Sequence, residues 1–413
     1  MSAGEPYSGR LGAVIPPGTP EYALVARVVE AVARRTGMPS QWNRRLYEQV
    51  GGEHPGFAQI GGPIAVDRPT VLEPLVRAGA DPVLARYAMI VLVHEAEHQT
   101  SVLGNDRSPD AVELASPEDT ALEEARAVVM SARHTDEIIR ETGLDREVPG
   151  ILDAQVDWGY PGVSRCLWES VGALSVLTDV PADEFWTTID KTPRPQRFNA
   201  LADLVIDKRL GVVMPESHRA LMRHRLTRSL RSELGALLQY EGPERPGRPT
   251  PEETSRFGAE HAQRAIADLS EHLADAEAHY AAHPGSEPPL PSLSPHEQGF
   301  LASLKAYQAM QQVQATIAEL KRFLGSETGQ GTTGMPQTLP AATVEPAGKS
   351  AEAGAGLGRG AGPAGGAGAG AGPGGGAATG GAAATGAAAA PGAAAAGRLV
   401  QFRPRQERGP AVD

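Results

Sequence analysis

Two histidines four residues apart carry the chemistry that this sequence indicates most clearly. His94 and His98 stand in the run His94-Glu95-Ala96-Glu97-His98, and on a helix residues four apart lie on the same face, about one turn from each other. Both imidazoles can therefore reach one metal ion. Glu95 follows the first histidine directly, where a carboxylate can take a proton from a water at the open coordination position. The spacing favours a zinc hydrolase.

The residues around this run predict a buried helix over 82–103. Asp81 is a suitable N-cap, and Pro82 is a suitable first helical residue. The middle of the helix, from Tyr87 to Val93, is apolar on nearly every side. In a buried helix the polar groups of His and Glu need a partner, and a metal ion is one. A solvated polar patch at a helix end is the alternative.

A second helix, predicted over Pro117 to Glu141, offers a third ligand. Ser116 is its expected N-cap, and Gly143 is expected to end it. On a helical wheel Glu124 falls at the margin of the apolar stripe and Glu123 nearly opposite. Glu124 is therefore expected to face the histidines in a His2Glu site, and Glu123 is the alternative ligand. An ordinary surface carboxylate near a helix N-terminus is the other interpretation of Glu124.

Residues upstream of the motif helix predict two short extended pieces around a Gly-Gly-Pro break at 61–63. Ile64 and Val66 alternate with Ala65 and Asp67, as in a strand. An edge strand near Ile64 could hold an extended peptide by strand addition. A hairpin that only covers the core is the alternative.

Taken in order, the G-x-x-x-x-G-G-x-I-x-V hairpin, the H-E-A-E-H helix and the L-E-E-A helix resemble the gluzincin branch of the zincin-like metallopeptidases. More narrowly, they resemble its minimal-gluzincin type, found in bacterial proteins of unassigned substrate. The resemblance covers 55–143, about a fifth of the chain. It implies that His94 and His98 bind Zn²⁺, that Glu95 polarises the attacking water, and that Glu124 is the third ligand.

Some positions depart from the gluzincin pattern, and others exclude related metallopeptidase families. Val128 stands where some gluzincins carry a carboxylate, so no partner is assigned to the outer nitrogen of a ligand histidine. A three-histidine metzincin site is excluded, because Ser101 and Gly104 stand where that pattern needs Gly and His. An Asp ligand from Asp106 or Asp110 is a less favoured alternative, since both lie in a loop of turn composition.

A stabiliser for the tetrahedral intermediate is only weakly indicated. Tyr160, Arg133 and His134 are the candidates. Tyr160 is interpreted first as a packing residue in a Gly/Pro turn. His134, together with His218 and His224, is interpreted as a solvated helix histidine.

The chain is predicted to be mainly α, with an α+β core of zincin type that contains a small hairpin or edge strand. Residues 1–240 form the predicted metallopeptidase domain, 251–325 a helical hairpin, and 333–413 a disordered Ala/Gly/Pro-rich tail. The hairpin suits an interaction arm for a protein partner or a helical extension packed on the first domain. The helices are predicted over 20–35, 72–78, 82–103, 117–141, 162–178, 195–210, 215–240, 251–282 and 295–324.

The overall charge and the cysteine content limit the function classes. A net charge of −12 gives no electrostatic basis for binding nucleic acid or an anionic membrane. The local basic cluster over 194–231 is interpreted as a largely solvated helix face. A single cysteine, Cys166, excludes an intramolecular disulfide and favours a reducing compartment. Without a signal peptide or a long apolar run, the chain is expected to be cytoplasmic, unless it is exported without a cleavable signal.

Three functions follow from these observations. The first is a zinc metallopeptidase acting on a peptide or protein substrate, with Glu95 as general base. The second is a catalytically inactive zincin-like helical interaction or scaffold protein. The third is a metal-binding regulator, or a self-processing protein whose only substrate is its own linker or tail.

Overall fold

A computed structural model of the chain describes residues 10–51, 54–156, 159–242, 247–286 and 295–327. This part is mainly helical and contains a small four-stranded sheet, so the predicted mainly α class is confirmed. The predicted disordered tail, 333–413, lies outside the described residues. Within them, no helix combines the length and the apolar character that a membrane span requires.

The strands are β1 (Arg10–Val14), β2 (Leu46–Val50), β3 (Gly56–Ala58) and β4 (Ile64–Val66). The helices are α1 (Pro20–Thr36), α2 (Glu73–Val76), α3 (Pro82–His98), α4 (Pro117–Thr142), α5 (Leu144–Glu147), α6 (Pro161–Thr178), α7 (Ala182–Lys191), α8 (Arg197–Arg209), α9 (Arg219–Leu237), α10 (Pro251–Ala282) and α11 (Pro295–Glu327). A π-helical turn, Arg68–Leu72, precedes α2, and short 3-10 turns stand at Arg194–Gln196, Glu216–His218 and Leu238–Tyr240.

Local capping signals explain why the two helices of the motif begin where they were predicted to begin. The Asp81 side chain accepts hydrogen bonds from the backbone N–H groups of Val83 and Leu84 at the start of α3. Ser116 caps α4 in the same way, and Gly143 ends it with a φ of 79°. Such caps satisfy backbone groups that have no partner inside the helix.

The end of α3 was not predicted correctly, because contacts from elsewhere in the chain decide it. The helix ends at His98, more than one turn before its expected end. The carbonyl oxygen of Gln99 accepts the backbone N–H of Gln41 at 2.7 Å. The carbonyl oxygen of Glu97 accepts a guanidinium N–H of Arg126 at 2.7 Å. These acceptors are used by distant donors, so the chain leaves the helix.

The sheet has the order β1-β2-β4-β3 and differs in one respect from the prediction. The strand that contains Ile64 is β4, which pairs in parallel with β2 and antiparallel with β3. It is therefore an internal strand, and its three residues are fully buried. Among the described strands the edges are β1 and β3. The expected edge strand near the motif helix is thus β3, one strand before the predicted one.

Two apolar clusters form the core, and α4 contributes to both. One cluster joins α1, the sheet and α3 with Ile138 and Ile139 from the end of α4. The other joins α6, α7, α8, α9 and α10 with Leu122 and Val129 from its beginning. The end of α3 and the beginning of α4 therefore meet where the two clusters adjoin, and buried polar side chains lie at this junction.

The two C-terminal helices differ from each other in how they pack. Leu269 and Leu273 of α10 are buried in the cluster that includes α6 and α9. This is the arrangement of a helical extension packed on the preceding helices, the second of the two interpretations given above. In α11, Phe300 and Leu304 pack against Leu221 of α9, and the apolar residues farther along the helix are exposed.

Candidate metal centre

The end of α3 and the beginning of α4 bring together the three residues expected to bind a metal. Nε2 of His94 lies 3.2 Å from Nε2 of His98 and 3.2 Å from Oε2 of Glu124. Nε2 of His98 lies 3.6 Å from the same Glu124 oxygen. One nitrogen or oxygen atom from each residue thus converges on a common point.

These distances fit a tetrahedral zinc site. Ligand atoms about 2.05 Å from a zinc ion at tetrahedral angles lie about 3.3 Å from one another. The three separations found here, 3.2, 3.2 and 3.6 Å, are close to that value. Two imidazoles and one carboxylate are also the donor set of His2Glu zinc enzymes, which leave a fourth position open. The residues therefore fit a zinc ion on donor chemistry and on spacing.

The structure separates the two glutamates that the sequence left as alternatives. Glu124 is in the cluster with the histidines, whereas Glu123 faces the other ring nitrogen of His98, with 2.8 Å between Nδ1 and Oε1. The helical wheel was wrong about Glu123, because this residue is buried rather than turned away from the core. The wheel assumes one buried face, but the beginning of α4 is covered on several sides.

Glu123 also fixes the tautomer of His98. A carboxylate can only accept a hydrogen bond, so Nδ1 of His98 must be the protonated donor. In the neutral ring, Nε2 then carries the free lone pair and points towards His94 and Glu124. Such a carboxylate–histidine pair orients a metal ligand and raises its basicity. Glu123 is thus the partner that the sequence could not assign.

Glu123 is itself surrounded by two buried arginines and a buried serine. Ser101 donates to both of its carboxylate oxygens, Arg197 forms a buried ion pair with it, and Arg126 lies 3.1 Å from it. Burial alone would raise the pKa of Glu123, but Arg126 and Arg197 hold it well below its usual range. Glu123 therefore remains ionised and acts as a fixed acceptor for His98.

The basic cluster over 194–231 was therefore misinterpreted at its N-terminal end. Arg197 is 1% exposed, and Arg194 is mostly buried and pairs with Asp119. Farther along, Arg223 pairs with Asp203 and Arg225 with Glu297. The acidic partners of these arginines come from distant segments of the chain. A short stretch of sequence therefore shows only the arginines and suggests a charged surface.

The three histidines His134, His218 and His224 are not solvated helix residues either. Nδ1 of His134 lies 2.8 Å from Oε1 of Glu97, the fully buried second glutamate of the motif. His218 and His224 are buried, and the ring of His218 lies 3.0 Å from the hydroxyl of Tyr280. Helices from two directions cover these positions, which the local sequence does not reveal.

Glu95 is buried beside the candidate ligands and against the edge strand. It is 4% exposed. A Cβ atom placed on Gly56 of β3 would lie only 2.9 Å from Oε1 of Glu95. The strand backbone therefore approaches the carboxylate at a position where a side chain would collide with it. Burial and the nearby charge of Glu124 raise the pKa of Glu95 to about 8, although His98 opposes this.

The carboxylates of the cluster favour a positive charge on His98. Burial disfavours a charged His98, yet the carboxylates of Glu124 and Glu123 raise its pKa to about 10. Burial likewise acts against an ionised Glu124, but His98 and His94 hold the pKa of Glu124 far below its ordinary value. A metal ion bound through Nε2 of His98 would have to displace a proton from that nitrogen.

Tyr160 alone of the three expected oxyanion candidates lies beside the histidine ligands. Its ring stacks on that of His94, with centroids 6.1 Å apart, and also on that of His54, with centroids 5.5 Å apart. Arg133 points elsewhere, to Asp183. The sequence analysis did not identify His54 as a neighbour of the site. This histidine comes before β3, and no known motif relates its position to that of His94.

The alternative aspartate ligands lie outside the cluster. Asp106 is exposed, and Asp110 pairs with Arg223. The whole cluster is nearly closed to solvent: His94 and His98 are 3% and 7% exposed.

Comparison of the chain with protein-family models, curated proteins and solved structures returns no match in any of the three.

Proposed function

We propose that this chain is a zinc-dependent metallopeptidase. In this proposal His94, His98 and Glu124 hold the ion, and Glu95 is the general base. The observation that carries it is the triangle of ligand atoms with tetrahedral spacing, next to a buried carboxylate that is not one of the ligands. A purely structural zinc site would be closed by four protein ligands and would need no such carboxylate.

Each residue of the site would have its own role in peptide hydrolysis. A zinc ion at this site would supply Lewis-acid chemistry, lowering the pKa of a water and polarising the carbonyl group of a substrate. The positive charge of the ion would lower the raised pKa of Glu95, and its carboxylate would then take a proton from the attacking water and deliver it to the departing amine nitrogen. Glu123 would keep the proton of His98 on Nδ1 throughout. Tyr160, adjacent to His94, is the best-placed donor for the developing oxyanion.

The edge strand β3 supports a peptide as the substrate. On one side β3 pairs with β4. The backbone N–H and C=O groups on its other side are therefore those with which an added strand would pair. Because Gly56 of β3 lies against Glu95, a peptide along this edge would pass the general base. The nearly closed site means that such a peptide must first displace part of its cover.

Metal analysis of the full chain and two variants tests the proposal. Wild type is expected to contain about one equivalent of zinc per chain after purification in metal-supplemented buffer. Glu124→Ala is expected to lose the metal, because only two ligands remain. Glu95→Gln is expected to keep it, because Glu95 is not a ligand, and to lose peptidase activity on a mixed peptide library. Wild-type protein that binds no zinc would refute the proposal.

The same experiment separates the proposal from the inactive-scaffold alternative. Zinc bound in wild type, without cleavage of the library or of the chain's own linker and tail, would favour a zincin-like interaction protein. Cleavage confined to the chain itself would favour self-processing. In either case the Glu95→Gln variant is the matched control, since it differs from wild type by a single non-hydrogen atom at the general base.

A further inference from the structure

The second half of α11 carries an apolar stripe that is exposed to solvent. Met310, Val313, Ile317 and Leu320 are 46–58% exposed. Their spacing of three, four and three residues keeps them on one narrow seam of the helix. No other helix in the described part of the chain exposes large apolar residues with this spacing.

The first half of α11 is fixed to the body by its other face. Glu297 accepts a hydrogen bond from Arg225 at 2.7 Å, Phe300 stacks on His224 at 4.3 Å, and Leu304 packs against Leu221. At 100° per residue, these three anchoring positions lie on the side of the helix opposite to the stripe. The body therefore does not cover the stripe, and nearly every described side chain after Leu304 is exposed.

An exposed helix of this kind needs a partner. From 305 to its end at Glu327, α11 runs about 34 Å at 1.5 Å per residue. Helices in proteins take most of their stability from packing an apolar face, and isolated ones are marginal in water. A narrow seam with three- and four-residue spacing fits a second helix with the same spacing, packed knobs-into-holes.

We propose that α11 pairs with α11 of a second copy of this chain. Within the described residues the only helix with a matching exposed seam is α11 itself, so a second copy supplies the complementary surface. Charge permits the pairing: the residues beside the seam are Ala309, Gln314, Thr316 and Lys321. These positions bring no cluster of like charges together, whereas the chain as a whole carries −12. The proposal is independent of the metal site.

Light scattering of the full chain, coupled to gel filtration, tests this pairing. Two heptads make a small interface, so the chain is loaded at about 100 μM, above a micromolar dissociation constant. Wild type is expected at twice its chain mass of 43.2 kDa, and Val313→Lys/Ile317→Lys at the mass of one chain. Lysine is a better helix former than either residue it replaces, so the helix itself should persist.

A matched control places the same two charges on the opposite face. Gln311→Lys/Ala315→Lys changes the net charge equally, lies on exposed positions and should remain a dimer. A wild-type chain of monomeric mass, a stripe variant that stays dimeric, or a control that dissociates would each overturn the pairing. As a second readout on wild type, amide hydrogen exchange over 306–322 should slow as concentration rises; exchange independent of concentration would also contradict it.

Discussion

Oε1 of Glu123 lies 2.8 Å from Nδ1 of His98, on the side of the ring facing away from the ligand cluster. The adjacent residue, Glu124, points its Oε2 to within 3.6 Å of Nε2 of the same ring. Two neighbouring glutamates of one helix thus contact opposite nitrogens of one histidine. One would bind the metal, and the other would orient a ligand.

We expect Glu123→Gln to weaken zinc binding without abolishing it. Loss of the carboxylate frees the tautomer and orientation of His98, and changes of this type reduce metal affinity about 10–100-fold. Competition with a chromophoric chelator at neutral pH measures the effect. Glu124→Gln is the comparison, and it should bind far more weakly still because it removes a ligand. Equal affinities for Glu123→Gln and wild type would show that the contact does not orient His98.

We expect Arg126→Met to destabilise the fold strongly. Arg126 is fully buried and pairs with Glu97, Glu123 and Asp190. Removing one partner from a buried ionic network costs about 3–5 kcal/mol, because the remaining charges are left uncompensated. Urea unfolding followed by circular dichroism measures the loss.

Arg133→Met is the matched control for this change. Arg133 lies two turns further along α4 and pairs with Asp183, whose side chain is 80% exposed. Exposed pairs contribute at most about 1 kcal/mol. If both variants lost the same stability, the buried arginine network would not be a major support of the site.

If the chain is the proposed metallopeptidase, we expect Gly56→Ala to lower the turnover number while zinc stays bound. The added Cβ would meet Oε1 of Glu95 at 2.9 Å, so the carboxylate or the edge strand must shift. A small displacement of a general base reduces its proton transfer, whereas the ligands of the metal are not touched. Steady-state kinetics and zinc content, measured on the same preparation, separate these effects.

Gly172→Ala provides the control for the methyl group. Gly172 lies on the exposed side of α6, and a Cβ added to it would have no neighbouring atom within 4 Å. The alanine should leave turnover unchanged and stabilise the helix by up to about 1 kcal/mol. A Gly56→Ala variant as active as this control would mean that the close approach of β3 does not position Glu95.

We expect Glu241 to make stability depend on pH in the neutral range. Its carboxylate is buried and accepts the backbone N–H groups of Gly162 and Val163 at the start of α6. Burial raises the pKa of Glu241 from 4.5 to about 7, although the two N–H donors oppose the shift. Between these values the folded chain holds a proton that the unfolded chain has released.

The contribution of Glu241 to stability is therefore largest below pH 4.5 and is lost as the pH rises to about 7. The shift corresponds to about 3 kcal/mol. We compare the unfolding free energies of wild type and Glu241→Gln, which stays neutral, at several pH values. The difference should change by about this amount between pH 4.5 and 7 in the direction that disfavours wild type, and then level off. A difference that does not vary with pH would refute the raised pKa.

Sequence alone is enough to predict the helical class, the starts of α3 and α4, and the spacing that brings His94 and His98 to one face. These features depend on local rules: a capping side chain, a proline at the first turn, and the 3.6-residue period. The sequence also favoured Glu124 over Glu123 as the third ligand, and the cluster contains Glu124. None of these inferences required knowledge of a distant contact.

The surroundings of the site depend on tertiary contacts. Arg197, Ser101 and Arg126 reach Glu123 from three segments of the chain. The end of α3 is fixed by Arg126 and Gln41, and β3 rather than β4 is the edge strand. A buried charge takes its partner from whichever segment packs against it. The role of a charged residue in the core therefore cannot be deduced from its neighbours in the sequence.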